Sequence, residues 1–187
     1  MKIFNRYATL SQLMKEAPFT FVMLVLNVVI YLLGFILNFF GISLFQEGAL
    51  YGPFVVELGQ YYRIITSAFL HGGLIHLAFN MIVGMYLLTA GLERVIGTKK
   101  TAAIYFISMI LSGVAVILFN YSAPTVGASG AIFGALGSLL YISVYRQDLM
   151  TRYERQWIWQ LIIINLIFTL AWGNISVKQA FQFIETH

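Results

Sequence analysis

The chain has 187 residues, of which 60% are hydrophobic and only 10% are charged. Soluble domains carry about a quarter charged residues, so this composition excludes an ordinary soluble fold and predicts a membrane protein. The formal net charge is +4. Basic residues beside apolar segments account for this excess, and we expect no nucleic-acid partner. The chain contains no cysteine, which excludes disulfides, thiolate metal sites and a cysteine nucleophile.

Apolar segments follow one another along the chain, and each is long enough to cross a bilayer. A spanning helix needs about 20 apolar residues, and only helices or closed barrels satisfy every backbone group in lipid. We therefore predict an all-α polytopic membrane protein. Its N-terminal stretch is longer than a signal-peptide core, so a cleaved leader is the less favoured alternative. The five predicted spans lie near residues 19–40, 64–90, 101–119, 126–145 and 157–173.

The basic residues predict the orientation of these spans. Nine of the eleven lysines and arginines fall on one side, and cytoplasmic loops are enriched in such residues. The N-terminus is therefore predicted to be cytoplasmic, in an integral, multi-pass protein of a bacterial plasma membrane. The nine are Lys2, Arg6, Lys15, Arg94, Lys99, Lys100, Arg146, Arg152 and Arg155, with only Arg63 and Lys178 opposite.

The second predicted span contains three polar side chains: His71, His76 and Asn80. Polar groups inside a span are expensive and usually face a bundle interior or a water-filled cavity. At 100° per residue, His76 and Asn80 share one helix face, and His71 lies nearer the outer end. A structural interhelical hydrogen bond is the plain alternative for any one of them.

The fourth predicted span begins with Gly127-Ala128-Ser129-Gly130. A serine among small residues at the outer mouth of a span is typical of a nucleophile that a substrate backbone can approach. The small residues that continue along this span also predict close helix packing.

These polar residues favour acyl transfer over two other chemistries. A helical zinc protease uses a His-Glu-x-x-His pair, whereas the histidines here are five apart, and no carboxylate falls inside a predicted span. A transporter usually shows spanning carboxylates or broken helices in repeated halves. A serine nucleophile needs a base for its proton and donors for the oxyanion, and His76 and Asn80 are suitable donors.

In this order, the motifs resemble the rhomboid family of intramembrane serine proteases. The resemblance covers about residues 61–176. It comprises Tyr62-Arg63, the run from His71 to Asn80, Gly91-Leu92-Glu93-Arg94-Val95-Ile96-Gly97 and Gly127-Ala128-Ser129-Gly130.

The resemblance implies a rhomboid-like helical bundle that works as a serine-type endopeptidase on single-span membrane proteins. Ser129 would be the nucleophile, His76 and Asn80 would stabilise the oxyanion with backbone amides near Ser129, and His71 would support the outer end of the site. A Ser-His dyad needs no metal or cofactor. The second hypothesis is a non-catalytic rhomboid-like protein that binds transmembrane clients through the same fold.

The C-terminal tail departs from the family pattern. Rhomboid proteases carry the base histidine on a sixth span, but no histidine stands near Ala180 here, and His187 is terminal. We therefore expect a five-span chain of impaired activity, consistent with a truncation or frameshift. Its segments would be a cytoplasmic lead-in at 1–17, a membrane domain at 18–176 and a divergent tail at 177–187. We also expect the missing span to leave the small-residue face of the fourth span without a partner.

Overall fold

The computed structural model describes residue 4 and residues 9–164, and these are folded almost entirely as helices. The only β pairing among them is a single bridge between Leu50 and Thr125. The helices are α1 Leu10–Glu16, α2 Pro18–Phe39, α3 Leu44–Gly48, α4 Gly52–Val56, α5 Arg63–Thr66, α6 Leu74–Phe79, α7 Ala90–Ile96, α8 Thr98–Phe119, α9 Ser129–Tyr145 and α10 over residues 152–164.

Three helices in the described residues are long and apolar enough to cross a membrane: Pro18–Phe39, Leu74–Ile96 and Thr98–Phe119. The fourth, Ser129–Tyr145, is apolar but shorter. Large apolar side chains point outward from these helices, among them Phe35 at 77% and Phe119 at 88% exposure. The predicted helical membrane bundle is thus confirmed, while the predicted fifth span, 157–173, lies partly outside the described residues.

The second long helix differs from its predicted bounds of 64–90. It begins at Leu74 and ends at Ile96, because α5 and a short 3₁₀ turn, Ser67–Phe69, precede it as separate elements. Its middle, Asn80–Thr89, is a π-helix between α6 and α7. π-helical turns are rare and frequently occur at functional sites. His71 therefore precedes this helix instead of lying within it.

The helix also contains a carboxylate that the predicted bounds left outside. Glu93 is 2% exposed and accepts hydrogen bonds from the backbone nitrogens of Phe19 and Thr20, at 3.0 and 2.9 Å, and from the Thr20 hydroxyl at 2.7 Å. The expectation that no carboxylate lies inside a span was wrong. Glu93 caps the start of α2, whose own N-cap residue, Ala17, offers no side-chain acceptor.

The small-residue face of α9 has a partner, contrary to the sequence-based expectation. A Cβ added at Gly130 would overlap the Ser112 side chain, and one added at Gly134 would overlap Ser108. Both serines belong to α8, so the glycines bring the backbones of α8 and α9 close together. The partner is the third long helix.

The loop before α9 is fixed by the segment that precedes α5. Leu50 and Thr125 exchange two backbone hydrogen bonds, of 3.0 and 2.8 Å, and the Gly52 nitrogen donates to the Tyr121 carbonyl at 3.1 Å. Arg63, buried at 4% exposure, donates to the carbonyls of Gln46 and Ala49, each at 2.9 Å. This segment, residues 44–66, is therefore a folded unit that holds the approach to Ser129, and we call it the outer segment after its predicted side of the membrane.

Candidate active site

Ser129 is the first residue of α9, and its side chain is exposed. It lines a groove of about 230 Å³ between α9 and the helix Leu74–Ile96. The polar members of the groove are Ser129, His76 and Asn80, and the others are Phe79, Val83, Gly84, Leu88, Ile132, Phe133 and Leu136. The structure thus places three of the four predicted site residues in one groove with mostly apolar walls.

Gly127 makes the close approach between the serine loop and His76 possible. Its φ is +124°, a conformation that side-chain-bearing residues rarely adopt. A Cβ at this position would lie 2.8 Å from both Cε1 and Nε2 of His76. The Gly127 nitrogen donates to the Ser67 carbonyl at 2.9 Å, which fixes the loop from the other side. The imidazole of His76 therefore packs directly against the backbone two residues before Ser129.

Asn80 lies where α6 passes into the π-helix, and it is 5% exposed. Its Nδ2 donates to the backbone carbonyl of His76 at 2.9 Å, and both residues line the same groove, as expected for two residues one helical turn apart. A side-chain amide has two N–H donors, so this bond occupies one of them. The second has no acceptor among the described residues.

His71 occupies a different place from the other three residues. Its ring lies 5.1 Å from that of His76, centroid to centroid, at an interplanar angle of 63°. It lines a second cavity, of about 340 Å³, with the C-terminal end of α2 and with α3. His71 therefore supports His76 from behind and does not line the Ser129 groove.

The environment of His71 favours its neutral form. The side chain is 9% exposed, and neither ring nitrogen meets a hydrogen-bond partner among the described residues. Burial, with a smaller contribution from nearby His76, lowers the pKa of His71 to about 4, although the nearby Phe69 backbone acts in the opposite direction. A buried imidazole without a partner is costly to protonate, so His71 is uncharged at neutral pH.

Within residues 9–164, no hydrogen bond joins the Ser129 hydroxyl to His76, Asn80 or His71. Catalytic hydrogen bonds are often long in a free enzyme, so this geometry leaves the predicted roles of these side chains open to test. The same part of the chain has no group of three or more side chains suited to a metal ion.

Sequence reasoning missed two residues that shape the groove. Ser67 supplies the carbonyl that anchors Gly127, and its role is invisible in the sequence because it depends on a contact 60 residues away in the chain. Gly84 lets α9 approach the π-helix, since a Cβ there would overlap the Ile132 side chain. Gly84 could have been identified from the sequence, because a glycine within an apolar helix indicates close packing against another helix.

Comparison with known proteins bears on this arrangement. A family model described as the rhomboid domain matches residues 58–181, which is most of the chain and includes every residue of the groove. The chain belongs to the rhomboid family. The predicted resemblance is therefore confirmed, and with it the assignment as an integral membrane protein with a helical bundle.

Some curated relatives of this rhomboid chain are named as proteases, and others are named as inactive proteins. It is 36% identical over 122 residues to "Rhomboid protease GluP" of Bacillus subtilis, covering 65% of this chain and 24% of the relative. It is 30% identical over 123 residues to "Putative rhomboid protease YdcA" of the same organism, covering 65% and 61%. It is also 34% identical over 102 residues to "Inactive RHOMBOID-like protein 8" of Arabidopsis thaliana, covering 52% and 28%. The chain thus spans less than two thirds of these relatives.

Proposed function

We propose that this rhomboid chain is a serine-type endopeptidase that acts on single-span membrane proteins, with Ser129 as the nucleophile. The observation that supports the proposal best is the exposed Ser129 hydroxyl in one groove with His76 and Asn80. In the proposed reaction, Ser129 Oγ attacks the substrate carbonyl as its proton passes to solvent. The C–N bond then breaks while the leaving amine takes up a proton, and water hydrolyses the ester formed on Ser129. His76 and the second N–H of Asn80 donate to the oxygen that becomes negative, and loss of one such donor typically costs about 2.7–4 kcal/mol of transition-state stabilisation.

The groove walls favour an apolar substrate. Val83, Leu88, Ile132 and Leu136 extend from the polar residues along the helices, so an extended segment of a transmembrane protein can bury apolar side chains there. Ser129 lies at the end of α9 where the outer segment closes over the bundle. We infer that cleavage occurs at or near the outer membrane surface.

The second candidate is a non-catalytic protein that binds transmembrane clients in the same groove. It is favoured by the lack of a described side chain in hydrogen-bond contact with the Ser129 hydroxyl, and a serine without its base loses several orders of magnitude in rate. We accordingly propose that Ser129 of this chain reacts as a nucleophile, but at a low rate.

A fluorophosphonate probe distinguishes the two candidates. We expect slow labelling of the purified chain, acceleration when imidazole is added as an external base, and no labelling of Ser129→Ala. Ser122→Ala is the matched control, because Ser122 is an exposed serine in the preceding loop. If a folded preparation stays unlabelled with and without imidazole, the endopeptidase proposal is wrong and the client-binding function is favoured.

A further inference from the structure

A wedge-shaped cavity separates α8 and α9 at the end of the bundle opposite Ser129. The helices are antiparallel and touch where Gly130 and Gly134 meet Ser112 and Ser108, whereas a Cβ added at Gly137 would meet no atom of the described residues within 4 Å. The helices therefore diverge beyond Gly134. The opening has a volume of about 740 Å³, within the usual range of ligand sites, about 300–1,000 Å³.

The position of the cavity separates it from the Ser129 groove. α9 has 17 residues, so its two ends are roughly 25 Å apart at 1.5 Å per residue. Ser129 begins this helix, whereas Tyr141, Ile142 and Arg146 line the cavity at its other end. A ligand in the cavity would not touch the proposed nucleophile.

The walls of the cavity are apolar and its mouth is basic. Leu92, Ile104 and Ile142 form part of the wall, and Lys100 and Arg146 are its charged lining residues. No carboxylate lines the cavity in the described part of the chain. Lys100 is exposed and forms no ion pair with a described residue. An amphiphile with an anionic head and an apolar tail matches this arrangement.

Arg146 uses some of its N–H donors in hydrogen bonds to Asp148, and the others have no acceptor among the described residues. Its Nε and Nη2 each donate to an Asp148 carboxylate oxygen at 3.0 Å. A guanidinium has five N–H donors, so three remain. Both partners are more than half exposed, and exposed ion pairs contribute little, so Asp148 competes only weakly with a phosphate.

We propose that this cavity binds one anionic phospholipid, with its phosphate at Lys100 and Arg146 and an acyl chain in the wedge beyond Gly137. Basic pockets between transmembrane helices bind anionic headgroups, and each lysine or arginine near the surface strengthens binding about fivefold. Tyr141 and Tyr145, whose rings lie 4.9 Å apart, stand beside the mouth as an interfacial aromatic pair.

Native mass spectrometry of the full chain, delipidated and titrated with phosphatidylglycerol or phosphatidylcholine of identical acyl chains, tests the proposal. We expect one tightly held phosphatidylglycerol and at least fivefold weaker retention of phosphatidylcholine. Lys100→Gln with Arg146→Gln should remove this preference, whereas Asp148→Asn should strengthen it. Lys99→Gln is the matched control, because Lys99 is exposed on the same helical turn but does not line the cavity.

Gly137→Leu tests the acyl-chain position without changing charge. The added side chain enters open space, so the variant should keep the unfolding midpoint of the parent and yet lose the retained lipid. Equal retention of the two lipids by the parent chain would overturn the proposal. So would an equal loss in the Lys99→Gln control, which would indicate diffuse surface charge, or full retention by Gly137→Leu.

Discussion

At the scale of single residues, the backbone of Gly127 sets the distance between His76 and the loop that precedes Ser129, residues 120–128. The loop reverses there at a φ of +124°, and the His76 ring fills the space that a side chain would occupy. The Gly127 amide is held by the Ser67 carbonyl. The position of Ser129 therefore depends on a residue that carries no reactive group.

Gly127→Ala should destabilise the chain by about 2 kcal/mol, because a side chain at this φ is strained and its Cβ would press on His76. The midpoint of unfolding in detergent measures the effect. The control is Gly72→Ala, since a Cβ at Gly72 would meet no described atom within 4 Å. Equal midpoints for the two variants would contradict this reading of the loop.

His71 should make the protein sensitive to mild acid. Its pKa is about 4 in the fold and 6.5 ordinarily, so the unfolded chain binds more protons between these values. Stability then rises with pH in this window, and acidification from pH 6.5 to 4 should cost about 2–3 kcal/mol. We expect His71→Phe, which keeps an aromatic ring beside His76, to flatten the dependence of the unfolding midpoint on pH. An unchanged slope would show that other groups are responsible.

At the scale of elements, the start of α2 depends on a carboxylate from another helix. Pro18 begins α2 without a side-chain cap of its own, and Glu93 of α7 accepts three hydrogen bonds at that end. A negative group at a helix N-terminus is favourable, and here it also joins two long helices. This contact fixes α2 against the core.

Glu93→Ala should lower the free energy of unfolding by about 2–4 kcal/mol, because it leaves buried donors of Phe19 and Thr20 without acceptors. Reversible unfolding in mixed micelles is a suitable measurement. Glu16→Ala serves as the comparison, since Glu16 is a carboxylate at the same end whose side chain is 42% exposed and pairs with Arg94. We expect a much smaller effect there, and a loss as large as that of Glu93→Ala would refute the capping role.

At the scale of the whole molecule, basic residues gather at one end of the bundle. Arg94 pairs with Glu16 at 3.0 Å, and the Phe4 nitrogen donates to Glu154 at 3.2 Å. The N-terminal segment, the end of α7 and the start of α10 thus lie together. Arg63, which the charge count places on the opposite side, is buried in the outer segment. Among the described residues, the charge asymmetry of the sequence is therefore kept in the fold.

This asymmetry predicts that the basic end faces the cytoplasm. The chain has no cysteine, so single cysteines can report the side on which they lie. In intact bacterial cells expressing the chain, a membrane-impermeant maleimide should label Ser122→Cys. It should label Tyr153→Cys, at a position 74% exposed, only after the membrane is permeabilised. The reverse pattern would invert the proposed topology.

The sequence by itself determined the membrane class, the approximate helices and the polar residues of the groove. Long apolar segments without charged residues indicate which parts of the chain lie in lipid, so local sequence patterns are sufficient to predict these features. The tertiary structure alone decided the π-helical segment, the separation of His71 from the groove, the Glu93 cap and the divergence of α8 from α9. Each of these depends on contacts between distant parts of the chain, as when Glu93 meets Thr20 across 73 positions. Such contacts arise from the packing of helices against one another, and a local sequence pattern does not predict them.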